Sequence, residues 1–330
     1  MEALDYENLY TSYLTKVTNR IENYVKPEEP VSLYVPFKYI MTAGGKRIRA
    51  VLPMIACGAV GGNPEDALDC GVAVEILHNF TLVHDDIMDK SPMRRNKPTI
   101  HTKWDEPTAI LTGDVMIGHA LKLLPDAEKN KNSCEIIKTF SQGLIEVCEG
   151  QAYDMQFNNK KDVKIEDYIL MITKKTARLL ETSAVIGGYI GDGNENQILA
   201  LRNYANSLGL AFQIQDDLLD IMADESELGK TIGLDIAEGK KTFLIIKALE
   251  KAEKPKDKSL LKRFLQNNGL SKEYIPDMQD LFKRLGVFND AQIRINEYFQ
   301  KAESETYKLL ENDYTAMLRW LLSRLNKRKK

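Results

Sequence analysis

The sequence has no long apolar run. Among its 330 residues, no apolar stretch approaches the roughly 18–20 residues that a membrane-spanning helix requires. The first ten residues, MEALDYENLY, are acidic and lack the apolar core of a signal peptide. We therefore expect a soluble, cytoplasmic protein with no membrane span.

Cysteine is scarce and dispersed. The four cysteines, Cys57, Cys70, Cys134 and Cys148, form no C-x-x-C pair, which excludes zinc ribbons and dithiol redox motifs. Their spacing fits a protein of a reducing compartment better than a disulfide-stabilised secreted domain.

Neither sign of charge is in excess. Lys and Arg number 45 against 48 Asp and Glu, and the isoelectric point is near 6.0. A chain without net positive charge is not expected to bind nucleic acid, so any anion site must come from local clusters of cations. The Walker A pattern, the G-x-S-x-G elbow and the kinase motifs are also missing, which argues against ordinary nucleotide hydrolysis and those enzyme classes.

Proline is unevenly distributed. Nine of the 11 prolines lie between Pro27 and Pro125, and residues 126–254 contain none. An interior proline costs a helix about 3 kcal/mol, so this gap permits long helices. Apolar residues recur with helical spacing in residues 66–83. The same spacing marks residues 134–156, 166–189, 196–222 and 241–252. Alternating strand patterns are scarce, so we predict an all-α fold in which residues 1–330 form one domain.

Two aspartate clusters share the pattern D-D-x-x-D within apolar helical runs. They are Asp85-Asp86-Ile87-Met88-Asp89 and Asp216-Asp217-Leu218-Leu219-Asp220. The first and last aspartates of each cluster lie about 40° apart around a helix and about 6 Å apart along it. Such carboxylates repel each other in apolar surroundings unless a cation is bound. Oxygen ligands without His or Cys favour Mg²⁺ or Mn²⁺ over zinc, whereas a solvated acidic face would have more polar flanks.

Three groups of cations accompany the aspartates. The segment Gly44-Gly45-Lys46-Arg47-Ile48-Arg49 is a glycine turn opening into a helix, whose N-terminus attracts anions. Arg94 and Arg95 follow the first aspartate cluster in a predicted loop at residues 90–98, and arginine suits phosphate oxygens. The third group comprises Lys174, Lys175, Lys230, Lys240 and Lys241. Each lysine alone is typical of a solvated surface, but together with the carboxylates the set predicts a substrate with several phosphates.

Six segments, in order over about 200 residues, resemble the trans-isoprenyl diphosphate synthases. They are GGKRIR (44–49), LVHDDIMD (82–89), RRNKPT (94–99), KKTARL (174–179), GLAFQIQDDLLDI (209–221) and GKTIGLDIAEGKKT (229–242). The resemblance implies an all-α isoprenoid-synthase bundle around a central cavity, usually a homodimer. It also implies head-to-tail condensation of isopentenyl diphosphate with an allylic diphosphate, and three Mg²⁺ ions per site, with Mn²⁺ as an alternative.

The resemblance implies a role for individual residues. The metal ligands would be Asp85, Asp89, Asp216 and Asp220. The allylic diphosphate would be held by Arg94, Lys175, Lys230 and Lys240. Isopentenyl diphosphate would be held by Lys46, Arg49, His78 and Arg95. Thr176 and Gln213 would lie near the ionising carbon.

Residues before the first aspartate cluster bear on product length. In the similar family the product grows beside this helix, and two adjacent aromatic residues are typical of a C15 product. Here Phe80 is followed by the small Thr81, which favours geranylgeranyl diphosphate (C20), with farnesyl diphosphate (C15) as the alternative. Phe80 is thus either the floor of the product channel or an ordinary core residue.

Three other interpretations remain open at this stage. A terpene cyclase or squalene-type synthase usually has a different second metal motif, whereas DDLLD is intact here. A non-catalytic synthase subunit commonly lacks the aspartates. A helical metal-binding scaffold would not need Arg94 and Arg95 or Lys46 and Arg49.

Overall fold

The protein is built almost entirely from helices. The computed structural model describes residues 5–26, 28–126, 128–160, 162–222 and 232–327, without the side chains of residues 158 and 159. In these ranges the strands are confined to one two-residue pair, β1 (Met93–Arg94) and β2 (Lys97–Pro98). The predicted all-α fold is therefore confirmed.

The helices follow the predicted segments closely. The first seven are α1 (Tyr6–Tyr24), α2 (Val31–Met41), α3 (Ile48–Ala59), α4 (Leu68–Met88), α5 (Ile100–Lys103), α6 (Glu106–Lys122) and α7 (Ser133–Asn159). They are followed by α8 (Ile165–Ile172), α9 (Arg178–Ile190), α10 (Glu195–Met222), α11 (Leu234–Ala237), α12 (Phe243–Lys251), α13 (Pro255–Asn267), α14 (Ile275–Arg284), α15 (Val287–Thr306) and α16 (Asp313–Asn326). Two 3₁₀ turns, Pro64–Ala67 and Lys272–Tyr274, precede α4 and α14. The segment predicted as one helix over residues 166–189 is interrupted by a π-helical turn, Thr173–Ala177.

Polar side chains at the helix starts supply the hydrogen bonds that the first turn lacks. Asp105 accepts a hydrogen bond of 2.8 Å from the Thr108 N–H at the start of α6. At the start of α10, Asn194 and Gln197 each accept a hydrogen bond from the backbone N–H of the other. Such caps stabilise a helix by about 1 kcal/mol, which explains why these helices begin where they do.

The chain divides into two compact units. The first comprises residues up to Val147, Leu179–Asn203 and Glu305–Trp320. Every residue of α3 from Ala50 to its end is buried in the core of this unit. Helix α4 packs closely against α3, since a Cβ added at Gly71 would lie 2.2 Å from the Ala50 carbonyl oxygen. The prediction of a single domain over residues 1–330 stays a prediction.

The second unit comprises Cys148–Arg178, Tyr204–Ser304 and the residues from Leu321 onward. Its core is lined by Tyr204 and Ile214 of α10, by the first turn of α12, and by Phe282 of α14, all buried. Burying each of these large apolar side chains stabilises the fold by about 1.5–3 kcal/mol. This core holds α10 from Tyr204 onward, and with it the second aspartate cluster.

In the described ranges, no helix combines the length and apolar character that a membrane span needs. All four cysteines are free thiols, with Cys57 and Cys70 buried and Cys134 and Cys148 exposed.

Candidate active site

The glycine turn before α3 is held in place by a buried ion pair. Gly44 and Gly45 have φ values of 83° and 133°, and Arg47 has a left-handed φ of 48°. The Arg47 guanidinium pairs with Glu75 of α4 at 2.6 Å, with side chains only 5% and 2% exposed. A buried pair of this kind fixes geometry, since removing either partner leaves a buried charge. Arg47 therefore anchors the turn that carries Lys46 and Arg49.

The segment after α4, predicted as a loop, contains a tight hairpin. Arg95 and Asn96 form its two-residue turn with φ values of 51° and 60°, the conformation that joins two twisted strands. Arg95 donates to the carbonyl of Gly44, and a Cβ at Gly45 would lie 3.2 Å from the Arg95 guanidinium. The lack of a side chain on Gly45 thus makes room for Arg95.

His78 lies among arginines in the first unit. Burial lowers the pKa of its imidazole well below the usual 6.5, and the charges of Arg49, Arg95, Arg94 and Arg47 lower it further. Burial also lowers the pKa of Arg95. Arg47 and Arg94 are neutralised in part by Glu75 and Asp86. The positive field of Arg49 and Arg95 beside a neutral imidazole favours a bound anion. Three of the four residues predicted to hold isopentenyl diphosphate, His78, Arg49 and Arg95, are therefore brought together here.

The three aspartates of the first cluster, at the end of α4, do not all have the same surroundings. Asp85 is half-buried and Asp89, the exposed C-cap, lies one turn later on the same face. A helix C-terminus is the negative end of the dipole, so these carboxylates favour a bound cation. Asp86 points elsewhere and accepts a hydrogen bond of 2.8 Å from Nε of Arg94. This ion pair fixes the position of Arg94. The sequence spacing did not identify Asp86 as its partner.

A cavity in the second unit collects most of the remaining predicted residues. Four of the residues assigned by the family resemblance line this cavity: Lys175, Thr176, Gln213 and Lys240. Its other lining side chains are Asp154, Phe157, Tyr168, Met171, Ile172, Asp217, Asp235, Lys241 and Thr242. Lys230 lies outside the described residues.

Hydrogen bonds connect the polar wall of this cavity. Thr176 Oγ1 donates to Gln213 Oε1 at 2.8 Å, and Gln213 Nε2 donates to Asp217 Oδ1 at 2.9 Å. The buried Tyr168 hydroxyl donates to Asp217 Oδ2 at 2.6 Å. Burial, followed by the charge of Asp235, raises the pKa of Asp217 to about 8, while the two hydrogen bonds act in the opposite direction.

Lys175 and Lys240, which line the cavity, form ion pairs with acidic side chains. Lys175 forms an ion pair with Asp154. Lys240 contacts Asp235 at 3.2 Å and Glu238 at 2.7 Å. These cations are held by acidic partners, of which Asp154 and Asp235 had no role in the sequence prediction. Asp235 lies within the segment GKTIGLDIAEGKKT (229–242) that carries part of the family resemblance, whereas Asp154 lies in none of the six segments.

The π-helical turn sets the direction of Lys175 and Thr176. Two glycines allow neighbouring helices to approach it: a Cβ at Gly150 of α7 would lie 2.3 Å from the Lys175 amide nitrogen, and one at Gly209 of α10 would lie 2.4 Å from the Ala177 Cα. π turns inside helices are frequently found at functional sites. Helical periodicity alone predicts no such turn.

The second aspartate cluster presents a row of carboxylates beside the cavity wall. Asp216 and Asp220 are one turn apart on α10, about 60° around the helix from the row of Gln213 and Asp217. Burial, followed by the charge of Asp235, raises the pKa of Asp220 to about 6. The Asp235 N–H also donates to Asp220 at 3.2 Å.

The donor set at both clusters fits a hard divalent cation. Each cluster offers carboxylate oxygens one turn apart, and the described residues contain no group of three or more His, Cys, Asp or Glu side chains arranged to hold a metal. Mg²⁺ binds in this way, through one or two carboxylates, with water and substrate phosphate completing its shell.

Comparison with known proteins gives a consistent result. The family model described as polyprenyl synthetase matches residues 30–282. A geranylgeranyl diphosphate synthase of Sulfolobus acidocaldarius is 41% identical over 285 residues, covering 86% of each chain. A short chain isoprenyl diphosphate synthase of Methanocaldococcus jannaschii is 42% identical over 270 residues, covering 82% of this chain and 81% of the relative.

Solved structures agree with the sequence relatives. The crystal structure of geranylgeranyl pyrophosphate synthetase from Pyrococcus horikoshii superposes with a TM-score of 0.90 at 34% identity, covering 98% of this chain and 100% of the other.

Proposed function

Because the chain belongs to the polyprenyl synthetase family, we propose that it is a prenyltransferase that makes geranylgeranyl diphosphate. It would join isopentenyl diphosphate head-to-tail to an allylic diphosphate: dimethylallyl, geranyl or farnesyl diphosphate. The observation that carries this proposal is the 41% identity over 86% of both chains to a geranylgeranyl diphosphate synthase. The arginines around His78 and the lysines of the second-unit cavity give the chemistry a physical basis.

Each of the two substrates would be bound by its own set of residues. Lys46, Arg49, His78 and Arg95 would hold isopentenyl diphosphate, with neutral His78 donating a hydrogen bond without adding charge. Arg94, Lys175, Lys230 and Lys240 would hold the allylic diphosphate. Since Arg94 is fixed by Asp86 and Lys175 by Asp154, these groups are positioned before substrate arrives. Preorganised charge stabilises a leaving group without a reorganisation cost.

Asp85, Asp89 and Asp216, with help from Asp220, would hold three Mg²⁺ ions, or Mn²⁺ in their place. When bound, the metal ions neutralise the diphosphate that leaves. Thr176 and Gln213 lie on the cavity wall, where uncharged oxygen atoms stabilise an allylic cation without trapping it. The departed diphosphate would accept the proton lost after the new bond forms, and the apolar lining from Phe157 and Met171 would exclude water.

A second copy of the chain would complete the assembly. Apolar side chains on α6 remain exposed in the first unit: Leu111 is 60% exposed, Leu121 43% and Ile110 42%. On α7, Ile145 is 51% exposed and Ile137 44%. Exposed apolar side chains on a helix are buried when a second copy packs against it, and we propose a homodimer that covers these residues of α6 and α7.

The assay is direct. The purified chain is incubated with labelled isopentenyl diphosphate, Mg²⁺ and each allylic primer in turn, and the products are separated by chain length. We expect a linear C20 diphosphate and loss of turnover with EDTA. A C15 product would identify a farnesyl diphosphate synthase, whereas cyclic hydrocarbons or no turnover would contradict the proposal.

A matched pair of variants tests the carboxylates. Asp85→Asn should lower kcat by at least about 100-fold, since it removes a charged ligand of the leaving-group metal ions. Asp277→Asn makes the same chemical change at an exposed position on α14 and should leave turnover unchanged. Equal activity of the two variants would show that Asp85 has no role in the reaction.

A further inference from the structure

The orientation of the Gln213 side-chain amide is set by its neighbours. The carbonyl oxygen of a side-chain amide accepts hydrogen bonds, and its NH₂ group donates them. Both oxygens of the Asp217 carboxyl group accept hydrogen bonds in the structure, Oδ1 from the Gln213 NH₂ group at 2.9 Å and Oδ2 from the Tyr168 hydroxyl at 2.6 Å. The Gln213 NH₂ group therefore faces Asp217. The carbonyl Oε1 is then left facing Thr176, which donates to it at 2.8 Å.

The second oxygen of Asp217 also has a fixed hydrogen-bond donor in the cavity wall. Asp217 is 5% exposed, and its second oxygen, Oδ2, accepts from Tyr168 at 2.6 Å. Tyr168 itself is 1% exposed, and its ring packs edge-on against Phe243 at 6.3 Å between centroids. Burial, followed by the charge of Asp217, raises the pKa of Tyr168 well above its usual value of 10.0, so the phenol keeps its proton and remains the donor.

We infer that Tyr168 is a positioning residue, which acts through Asp217 to hold the carbonyl oxygen of Gln213, rather than its NH₂ group, on the side of Thr176. The inference rests on the proposed prenyl transfer. An allylic cation is stabilised by the negative end of the amide dipole and repelled by its positive end. Among the described residues, Tyr168 is the donor to the buried Oδ2 atom, so without its hydroxyl the Asp217 carboxyl keeps the contact of Oδ1 with Gln213 and is held less firmly. The amide of Gln213 is then held less firmly as well.

A double-mutant cycle tests whether Tyr168 acts through Gln213. Tyr168→Phe should lower kcat roughly fivefold to tenfold, in line with the loss of one hydrogen bond to a charged group. The KM for isopentenyl diphosphate should change by less than about twofold, because its predicted ligands lie elsewhere. In a Gln213→Ala background the same Tyr168→Phe change should alter kcat by less than about twofold. An equal loss in both backgrounds, or no loss in the wild-type background, overturns the inference.

A matched control separates positioning from packing. Tyr204→Phe removes another fully buried tyrosine hydroxyl from the same unit and should leave kcat unchanged. If Tyr204→Phe lowers kcat as much as Tyr168→Phe does, loss of any buried hydroxyl explains the effect and the inference fails.

A readout that needs no turnover distinguishes this inference from the proposed function. In ¹H–¹⁵N spectra of the full chain, the Gln213 side-chain NH₂ signals are assigned by their disappearance in Gln213→Ala. We expect them to exchange slowly in the wild type and to shift and exchange faster in Tyr168→Phe. Signals that stay in place in Tyr168→Phe overturn the inference, whereas an inactive wild type with the expected shift overturns only the proposed function.

Discussion

At the scale of single residues, His78 is the most informative titrating group. Its pKa is lowered by burial and by the surrounding arginines, so the imidazolium is favoured in the unfolded chain and disfavoured in the folded one. The stability that follows is fully present above the unfolded pKa of about 6.5 and is lost as pH falls below it.

We therefore expect the free energy of unfolding to fall as pH drops below about 6.5, and to fall less in His78→Gln. NMR titration of the ring nitrogens should find His78 neutral at pH 6. Inorganic diphosphate should raise the pKa of His78 towards its usual value, because an anion offsets the arginine charges. A ring that titrates at or above pH 6.5 without diphosphate would contradict the proposed anion site.

Phe80 is the residue on which product length is predicted to depend. It is 6% exposed and packs edge-on against His84, with ring centroids 4.8 Å apart. Thr81 beside it donates its hydroxyl to the His78 carbonyl at 2.8 Å and adds little bulk. These contacts are compatible with a channel floor and with a core residue alike, so the role remains a prediction.

If Phe80 is the floor, Phe80→Ala should yield products longer than C20, since the space that stops elongation is enlarged. Phe288→Ala removes the same volume in the second unit and should leave product length unchanged. Chromatography of the labelled products measures both. An unchanged product from Phe80→Ala identifies Phe80 as a core residue only.

At the scale of elements, the sequence predicts the helices well and the turn inside one of them not at all. The apolar stripe over residues 66–83 corresponds to α4, and the segments 134–156 and 196–222 correspond to α7 and α10. Helical spacing predicts residues 166–189 as one helix, but a π-helical turn separates α8 from α9. A π turn depends on the close approach of other helices, which a local pattern does not contain.

Gly209 is expected to be essential for that approach. In Gly209→Ala the added Cβ would lie 2.4 Å from the Ala177 Cα, so α10 and the π turn must separate. We expect a loss of stability of about 1–3 kcal/mol and a lower kcat, because Thr176 moves with the turn.

Gly118→Ala in α6 is the control for that substitution. Its added Cβ meets nothing within 4 Å in its own chain, so the change should not destabilise the fold of the single chain. Urea unfolding compares the two variants. A neutral Gly209→Ala would show that the contact with the π turn is not required.

At the scale of the whole molecule, the proposed homodimer makes a simple prediction. Light scattering after gel filtration should give twice the chain mass of 37.5 kDa. Leu111→Glu places a charge among the exposed apolar residues of α6 and should shift the protein towards monomer. Leu310→Glu, at a position 47% exposed outside that group, is the control. A monomeric wild type would reject the homodimer.

The sequence by itself determined the fold class and the inventory of chemical groups. Spacing along a helix fixes which side chains share a face, so Asp85 and Asp89, or Asp216 and Asp220, are paired by local geometry alone. Proline-free apolar stripes likewise commit long segments to helices, because backbone hydrogen bonds within a helix are local.

Only the tertiary structure decided which groups hold one another. Nothing in the spacing pairs Arg47 with Glu75, Arg94 with Asp86, or Tyr168 with Asp217. These partners meet because packing brings distant segments together and because a buried polar group must find a partner or destabilise the fold. The sequence thus determines which reactive groups are present, and the packing of the helices determines their positions and partners.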